Sequence, residues 1–192
     1  MSLPKDEAEC LMYYLKLSKV ILEYGSGDST IAASKLREKL IFSVESDRNW
    51  AVDLQCKIDE YNSSSHTLIY HVDIGPTGKW GRPIDSTNWH KFYKYSLSIW
   101  DEPFFNQPDV VFIDGRFRPA CLMAAILRTK KKITVLFDDY VNRDYYHNVE
   151  QFVVPKTIVG RMAVFEIKPD QLNQKHLTSL MSLFFQSTYA KY

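Results

Sequence analysis

The stretch from Val20 to Glu45 constrains this chain more than any other part of it. Val20, Ile21 and Leu22 run apolar without a helical period, which reads as a strand covered on both faces. Gly25 and Gly27 follow, removing side chains where the backbone turns and where a ligand can come close to it. Residues 28–39 then place Ile31, Ala32, Ala33 and Leu36 on one helical face. A second apolar run begins at Leu40 and ends on the acid Glu45. The pattern is a βαβ unit with a carboxylate about twenty residues beyond the first glycine, the separation that faces an acid toward ribose hydroxyls. The stretch reads as a nucleoside-ligand site.

The turn also says something about which nucleoside. A dinucleotide fingerprint wants a third glycine, but that position is Thr30, and Asp28 puts an acid at the helix entrance. An anionic pyrophosphate is poorly received there, which counts against an oxidoreductase using NAD, whereas a cationic sulfonium is not repelled. Glu23-x-Gly25-x-Gly27, with Glu45 at the next strand end, resembles motif I and the acidic ribose reader of class I S-adenosylmethionine-dependent methyltransferases. That resemblance covers nearly the whole chain. It implies a three-layer α/β Rossmann-like fold whose mostly parallel sheet ends in an antiparallel C-terminal edge. It also implies one domain over residues 1–192, with S-adenosylmethionine as cofactor. The alternative is a Rossmann-like fold whose glycines serve only the turn.

Taken in order, residues 6–17 carry Ala8, Leu11, Met12 and Leu15 at helical spacing, an entry helix within residues 1–18. After Glu45, Ser46 or Asp47 can cap a helix reaching Tyr61, with Trp50, Leu54 and Ile58 facing the core. Residues 62–65 read as a turn and residues 66–74 as a strand carrying Asp73 near its end. Residues 75–102 form an aromatic-rich insertion, with Trp80, Trp89, His90, Phe92, Tyr93 and Tyr95. It reads as a flap facing the substrate, or as a helix over 89–100 that packs its rings on the sheet. Residues 109–114 form the next strand, followed by a helix over 119–128, and residues 133–137 another strand. A polar helical segment over 144–150, strands near 152–154 and 162–167, and a helix over 169–185 complete the pattern. The basic run 128–132 falls at the sheet edge away from the ligand.

Ligands of such sheets bind outside the C-terminal strand ends. Those ends carry Glu23, Glu45, Asp73, Asp114, Asp138 and Asp139. The resemblance assigns Glu23, Gly25, Gly27, Glu45, Asp73 and Asp114 to the cofactor, as acceptors for its ammonium and ribose hydroxyls and as the turn beneath it. Neighbouring strands lie about 4.8 Å apart, so Asp114, Asp138 and Asp139 are able to share one hard cation such as magnesium. This is similar to the ligand set of divalent-cation-dependent O-methyltransferases, where a cation lowers the pKa of an acceptor hydroxyl. Asp114, Asp138 and His90 are the candidate catalytic residues, with His147 as a second candidate base. Against the metal stand Arg116 and Arg118, whose guanidinium groups can pair with the aspartates or hold an acidic substrate. Asp138 or Asp139 can also cap a following helix.

Composition narrows the function. Lys+Arg 24 against Asp+Glu 23 gives a formal charge of +1, so no global field selects nucleic acid or an anionic membrane. Three scattered cysteines without a CxxC fit a reducing cytoplasm, and no apolar run has the length of a membrane span. The resulting expectation is a cytoplasmic methyltransferase acting on the oxygen of a small molecule. A methyltransferase for protein or nucleic acid is disfavoured, since no base-reading motif accompanies the site. A non-catalytic binding protein on the same fold is the alternative. Aromatic content of 14% leaves room for a homo-oligomer, although no stretch announces one.

Overall fold

A computed structural model describes residues 3–61, 63–172 and 174–190. Chain order is α1 (Lys5–Leu17), β1 (Val20–Tyr24), α2 (Asp28–Ser34), β2 (Leu40–Glu45), α3 (Arg48–Glu60) and β3 (His66–His71). A small hairpin, β4 (Thr77–Gly78) and β5 (Arg82–Pro83), precedes α4 (Trp89–Leu97), β6 (Val110–Ile113), α5 (Arg118–Arg128) and β7 (Ile133–Phe137). The strands β8 (Thr157–Val159) and β9 (Met162–Ile167) and the helix α6 (Leu177–Leu183) close the chain.

The described residues form a seven-stranded sheet ordered β3-β2-β1-β6-β7-β9-β8. Strands β3, β2, β1, β6 and β7 run parallel, and β9 pairs antiparallel with both β7 and β8. Alternation along each strand explains the two covered faces. Leu22, Tyr24, Val111, Ile113, Val135 and Phe137 point into a core shared with α4, α5 and α6. Their neighbours Ile21, Val110, Phe112 and Leu136 point the other way, onto Leu11 and Leu15 of α1 and Ala33 of α2. Helix α3 adds Ala51, Leu54 and Ile58 against Ile69 on β3. This is the three-layer Rossmann-like arrangement with an antiparallel C-terminal edge that the sequence implies. No helix among the described residues is long and apolar enough to cross a membrane.

Several elements differ from the sequence reading. Helix α2 stops at Ser34, whose hydroxyl bonds back to the Ile31 carbonyl at 2.9 Å, and Glu38 turns left-handed (φ 59°) before β2. Trp50 does not face the core. It stays 42% exposed and donates its indole N–H to the Ser26 carbonyl at 2.8 Å, roofing the glycine turn. The segment 152–154 is not a strand. Phe152 and Val153 continue the preceding 3-10 turn onto the Val149 carbonyl, and Lys156, just past Pro155, takes up pairing with Val164. The last helix covers only Leu177–Leu183, because Asp170 adopts φ 56° after Pro169. Asn62, in the expected turn, lies outside the described residues. The aromatic segment contains the expected packing helix together with a hairpin. α4 buries Phe92 and Tyr95, while the β4–β5 hairpin leaves Trp80 exposed and lies over the end of β2.

Candidate functional site

The site is built on two touching turns at the C-terminal ends of the central strands. Gly25 (φ +98°) leaves β1, and a Cβ there would stand 2.4 Å from the Gly115 Cα on the turn after β6. A Cβ on Gly115 would meet the Tyr95 hydroxyl at 2.2 Å. Gly27 is different. Its backbone is extended (φ −178°), and a Cβ there would meet nothing within 4 Å. One face of the turn is locked to its neighbour and the other is open.

Glu23, just before this turn, is buried. Ser29, Thr30 and Ser43 hydroxyls all donate to its carboxylate, and Thr30 Oγ1 in turn accepts from the Gly27 N–H at 2.9 Å. Glu23 therefore ties the turn to α2 and β2. Burial pushes its carboxyl up to about 7, against the pull of those hydroxyls. Glu45 sits at the end of β2 as expected. Its Oε1 accepts the amides of Ser46 (2.7 Å) and Asp47 (2.9 Å), and its Oε2 accepts only the longer bond from the Ser26 amide (3.3 Å). Gly81 of the hairpin covers it, since a Cβ there would stand 3.0 Å from Oε1. Asp73 lies two residues beyond the end of β3. It is ion-paired with Lys91 at 2.7 Å and accepts the Gly75 amide, which together hold its carboxyl below the usual range.

Asp114, Asp138 and Asp139 do converge, with ligand-capable oxygens within 4.8 Å of one another. Their partners, however, are arginines. Arg161 donates to both oxygens of Asp138 (3.0 and 2.8 Å) and lies 3.1 Å from Asp139 Oδ1. Arg143 donates to Asp139 Oδ2 at 2.7 Å, and Arg118 to Asp114 Oδ1 at 2.9 Å while standing 3.3 Å from Asp139 Oδ2. Three carboxylates therefore face three guanidinium groups. A divalent cation there would meet three positive charges and oxygens that, Asp114 Oδ2 apart, already face arginine, so this donor set does not fit magnesium. Neither aspartate caps a helix, and Arg116 does not join the cluster.

Within it the acids are unequal. Burial pushes Asp114 up to about 7, with Arg118 opposing and Asp138 and Asp139 adding. Burial also acts on Asp138, but the hydrogen bonds and charge of Arg161, with Arg118, overcome it and hold that carboxyl low. Asp138 is fully enclosed and pinned by Arg161, which removes it as a proton acceptor, whereas a third of the Asp114 side chain reaches solvent. His90 lies on the exposed side of α4, its ring against Trp89, away from the face that buries Phe92 and Tyr95. His147 stacks on Tyr140 and shares a hydrogen bond with that residue's carbonyl at 3.2 Å. His147 thus lies beside the turn that follows β7, whereas no contact among the described residues brings His90 to the strand-end turns.

The raised acids predict a pH dependence. An acid with a raised folded pKa holds its proton better in the folded chain than in the unfolded one, so stability falls as pH rises through the interval. For Glu23 the interval runs from the ordinary 4.5 to about 7. The slope is at most about 1.4 kcal/mol per pH unit for one such group. Asp114 acts in the same direction, but less, being a third exposed. Glu23→Gln is expected to remove the larger part of that slope in urea unfolding at pH 5, 6 and 7. An unchanged slope would show that Glu23 ionises without cost.

Sequence reasoning missed Arg143, Arg161, Trp50 and the hairpin over Glu45. Only Gly115, directly after a strand-end acid as Gly25 nearly follows Glu23, carried a local signal.

Comparison with known proteins adds the following. No protein-family model matches the chain, and no curated protein matches it. Among solved structures, a methyltransferase-like protein from Silicibacter pomeroyi is 37% identical over 97% of each chain, with a TM-score of 0.92. An O-methyltransferase from Bacillus cereus, solved with SAH, is 15% identical over 86% of this chain and 80% of its own, with a TM-score of 0.59. An RNA methyltransferase from Salinibacter ruber, solved with S-adenosyl-L-homocysteine, is 12% identical over 91% and 97%, with a TM-score of 0.54. The last two share the fold.

Proposed function

Since the chain belongs to the family of Rossmann-like methyltransferase-like proteins, we propose that it binds S-adenosylmethionine over the β1 turn and methylates an oxygen of a small molecule. The open face of Gly27 carries this reading. In a turn otherwise packed backbone against backbone, it is the one glycine of the Gly25-x-Gly27 pair with room for a ligand. Glu45 supports it through Oε2, whose single long bond from the Ser26 amide leaves capacity for a ribose hydroxyl. Trp50, bonded to the Ser26 carbonyl, flanks the same space.

S-adenosylmethionine, when bound, supplies an electrophilic methyl group. The residues supply placement and proton transfer. Glu23 fixes the turn through Ser29 and Thr30, and Arg161 fixes Asp138. Asp114, with its carboxyl near 7 and its tip exposed, is part-ionised at neutral pH and takes the acceptor's proton. No divalent cation belongs to this reading. Treatment with EDTA is expected to change neither melting temperature nor cofactor affinity, and a magnesium-dependent gain in affinity would restore the metal.

The test is calorimetric titration with S-adenosylmethionine. The wild type is expected to bind saturably. Gly27→Val is expected to fold, since nothing opposes its side chain, yet to lose binding because the side chain fills the ligand's space. Glu45→Ala is expected to weaken binding about 10- to 100-fold, the worth of one charge-assisted hydrogen bond. The covering of Glu45 by Gly81 favours a second reading, a relative that keeps the fold without the transfer. Absence of binding in the wild type would choose it.

A further inference from the structure

We infer that Arg82 and Arg116 form a binding site for an anionic group, a carboxylate or phosphate, on the strand-end side of the sheet. Arg116 follows Gly115 on the β6 turn, and its amide meets the Tyr95 hydroxyl at 3.3 Å. Arg82 follows Gly81, which rests on Ser46 and Glu45. The two residues thus come from the two loops that border the proposed cofactor space.

Their chemistry is incomplete as they stand. Arg118, Arg143 and Arg161 are matched by the aspartate cluster, and Arg128 by Asp101 at 2.6 Å. Among the described residues no carboxylate pairs with Arg82 or Arg116. The Nε atom of each is buried and meets no acceptor. A buried donor without a partner is costly, and two cations near each other without an anion are worse. Burial, then the charges of Arg118 and Arg82, depress the Arg116 guanidinium, opposed by Tyr95. Guanidinium remains charged at any working pH, and its planar fork suits the paired oxygens of a carboxylate or phosphate. The Arg82 guanidinium is further held 5.1 Å over the Trp80 ring, which limits how far it can swing to solvent.

Such an anion has two sources, the amino-acid carboxylate of the methyl donor or an acidic acceptor, and assigning the source rests on the proposed function. The experiment titrates wild type, Arg116→Gln and the Arg82→Gln/Arg116→Gln double variant with three probes. These are pyrophosphate, S-adenosylhomocysteine, and 5′-methylthioadenosine, which lacks the amino-acid carboxylate. Melting temperatures of the variants check that they fold. Saturable pyrophosphate binding, weakened at least tenfold in the double variant, is the expected result. If S-adenosylhomocysteine weakens equally while 5′-methylthioadenosine does not, the anion is the donor's carboxylate. If S-adenosylhomocysteine is unaffected, the pair serves an acidic acceptor. Arginine-dependent pyrophosphate binding without any binding of S-adenosylhomocysteine would uphold the anion site while removing the methyl-donor reading. Pyrophosphate binding that is absent, or equal in folded wild type and variants, with S-adenosylhomocysteine also unchanged, would overturn the inference.

Discussion

Arg118→Met is expected to destabilise the protein by about 3–5 kcal/mol, the cost of leaving buried charge without its partner. At this chain length that corresponds to a fall of roughly 10–15 °C in melting temperature. Arg118 is only 4% exposed and serves several groups at once. It donates to the carbonyls of Gly115 (3.1 Å), Asp138 (2.6 Å) and Asp114 (2.8 Å), besides the Asp114 carboxylate. Methionine fills the volume but restores none of these bonds, so three carbonyls lose a donor as well as the cluster losing a charge. Arg143→Met is the comparison, since Arg143 is about a third exposed and water can replace it at Asp139. Its expected cost is about 1 kcal/mol or less. Urea unfolding of the two variants side by side decides the matter, and equal costs would mean that burial does not govern the cluster.

Gly25→Ala is expected to cost about 3 kcal/mol or more, through a left-handed backbone that an L-residue resists and an overlap with neighbouring main chain. The added carbon would stand 2.4 Å from the Gly115 Cα and 2.6 Å from its nitrogen. These atoms belong to the β6 turn, itself held by Arg118 and by the Tyr95 hydroxyl, so neither turn can yield cheaply. Gly27→Ala, two residues on, is expected to stay within about 1 kcal/mol of wild type, the usual spread at a helix N-cap. Thermal unfolding of this pair separates turn geometry from ligand chemistry, because both are glycines of the same motif. A Gly25→Ala protein as stable as Gly27→Ala would show that the two turns part readily.

These contrasts indicate what was legible in the sequence. Val20–Tyr24, Leu40–Glu45 and Ile133–Phe137 were readable because fully covered strands announce themselves as apolar runs ending in polar turns. The acids at their ends were readable for the same reason. What those acids do was not. Asp138 looked like a metal ligand because its bidentate partner, Arg161, lies across an antiparallel hairpin that no local pattern connects to it. Trp50 has helical spacing with Leu54 and Ile58, but spacing fixes a helix face only to within a residue. Ala51 took the core position and freed the indole for the turn. Asp73 falls two residues beyond β3, which ends at His71 instead of reaching Ile74, and only the fold of α4 brings Lys91 to it.

The contact between Gly25 and Gly115 also bears on how the molecule is assembled. These residues are ninety positions apart by number, and β6 reaches β1 only after β2, β3, the hairpin and α4 have been passed in the chain. Closing so long a loop is entropically late, and parallel pairing of this kind forms slowly. The proposed ligand crevice therefore draws on both halves of the chain, although every residue of the glycine motif lies in the first. Under the proposed function, ligand binding reports completed folding, and amide exchange at Gly25 should be as slow as global unfolding.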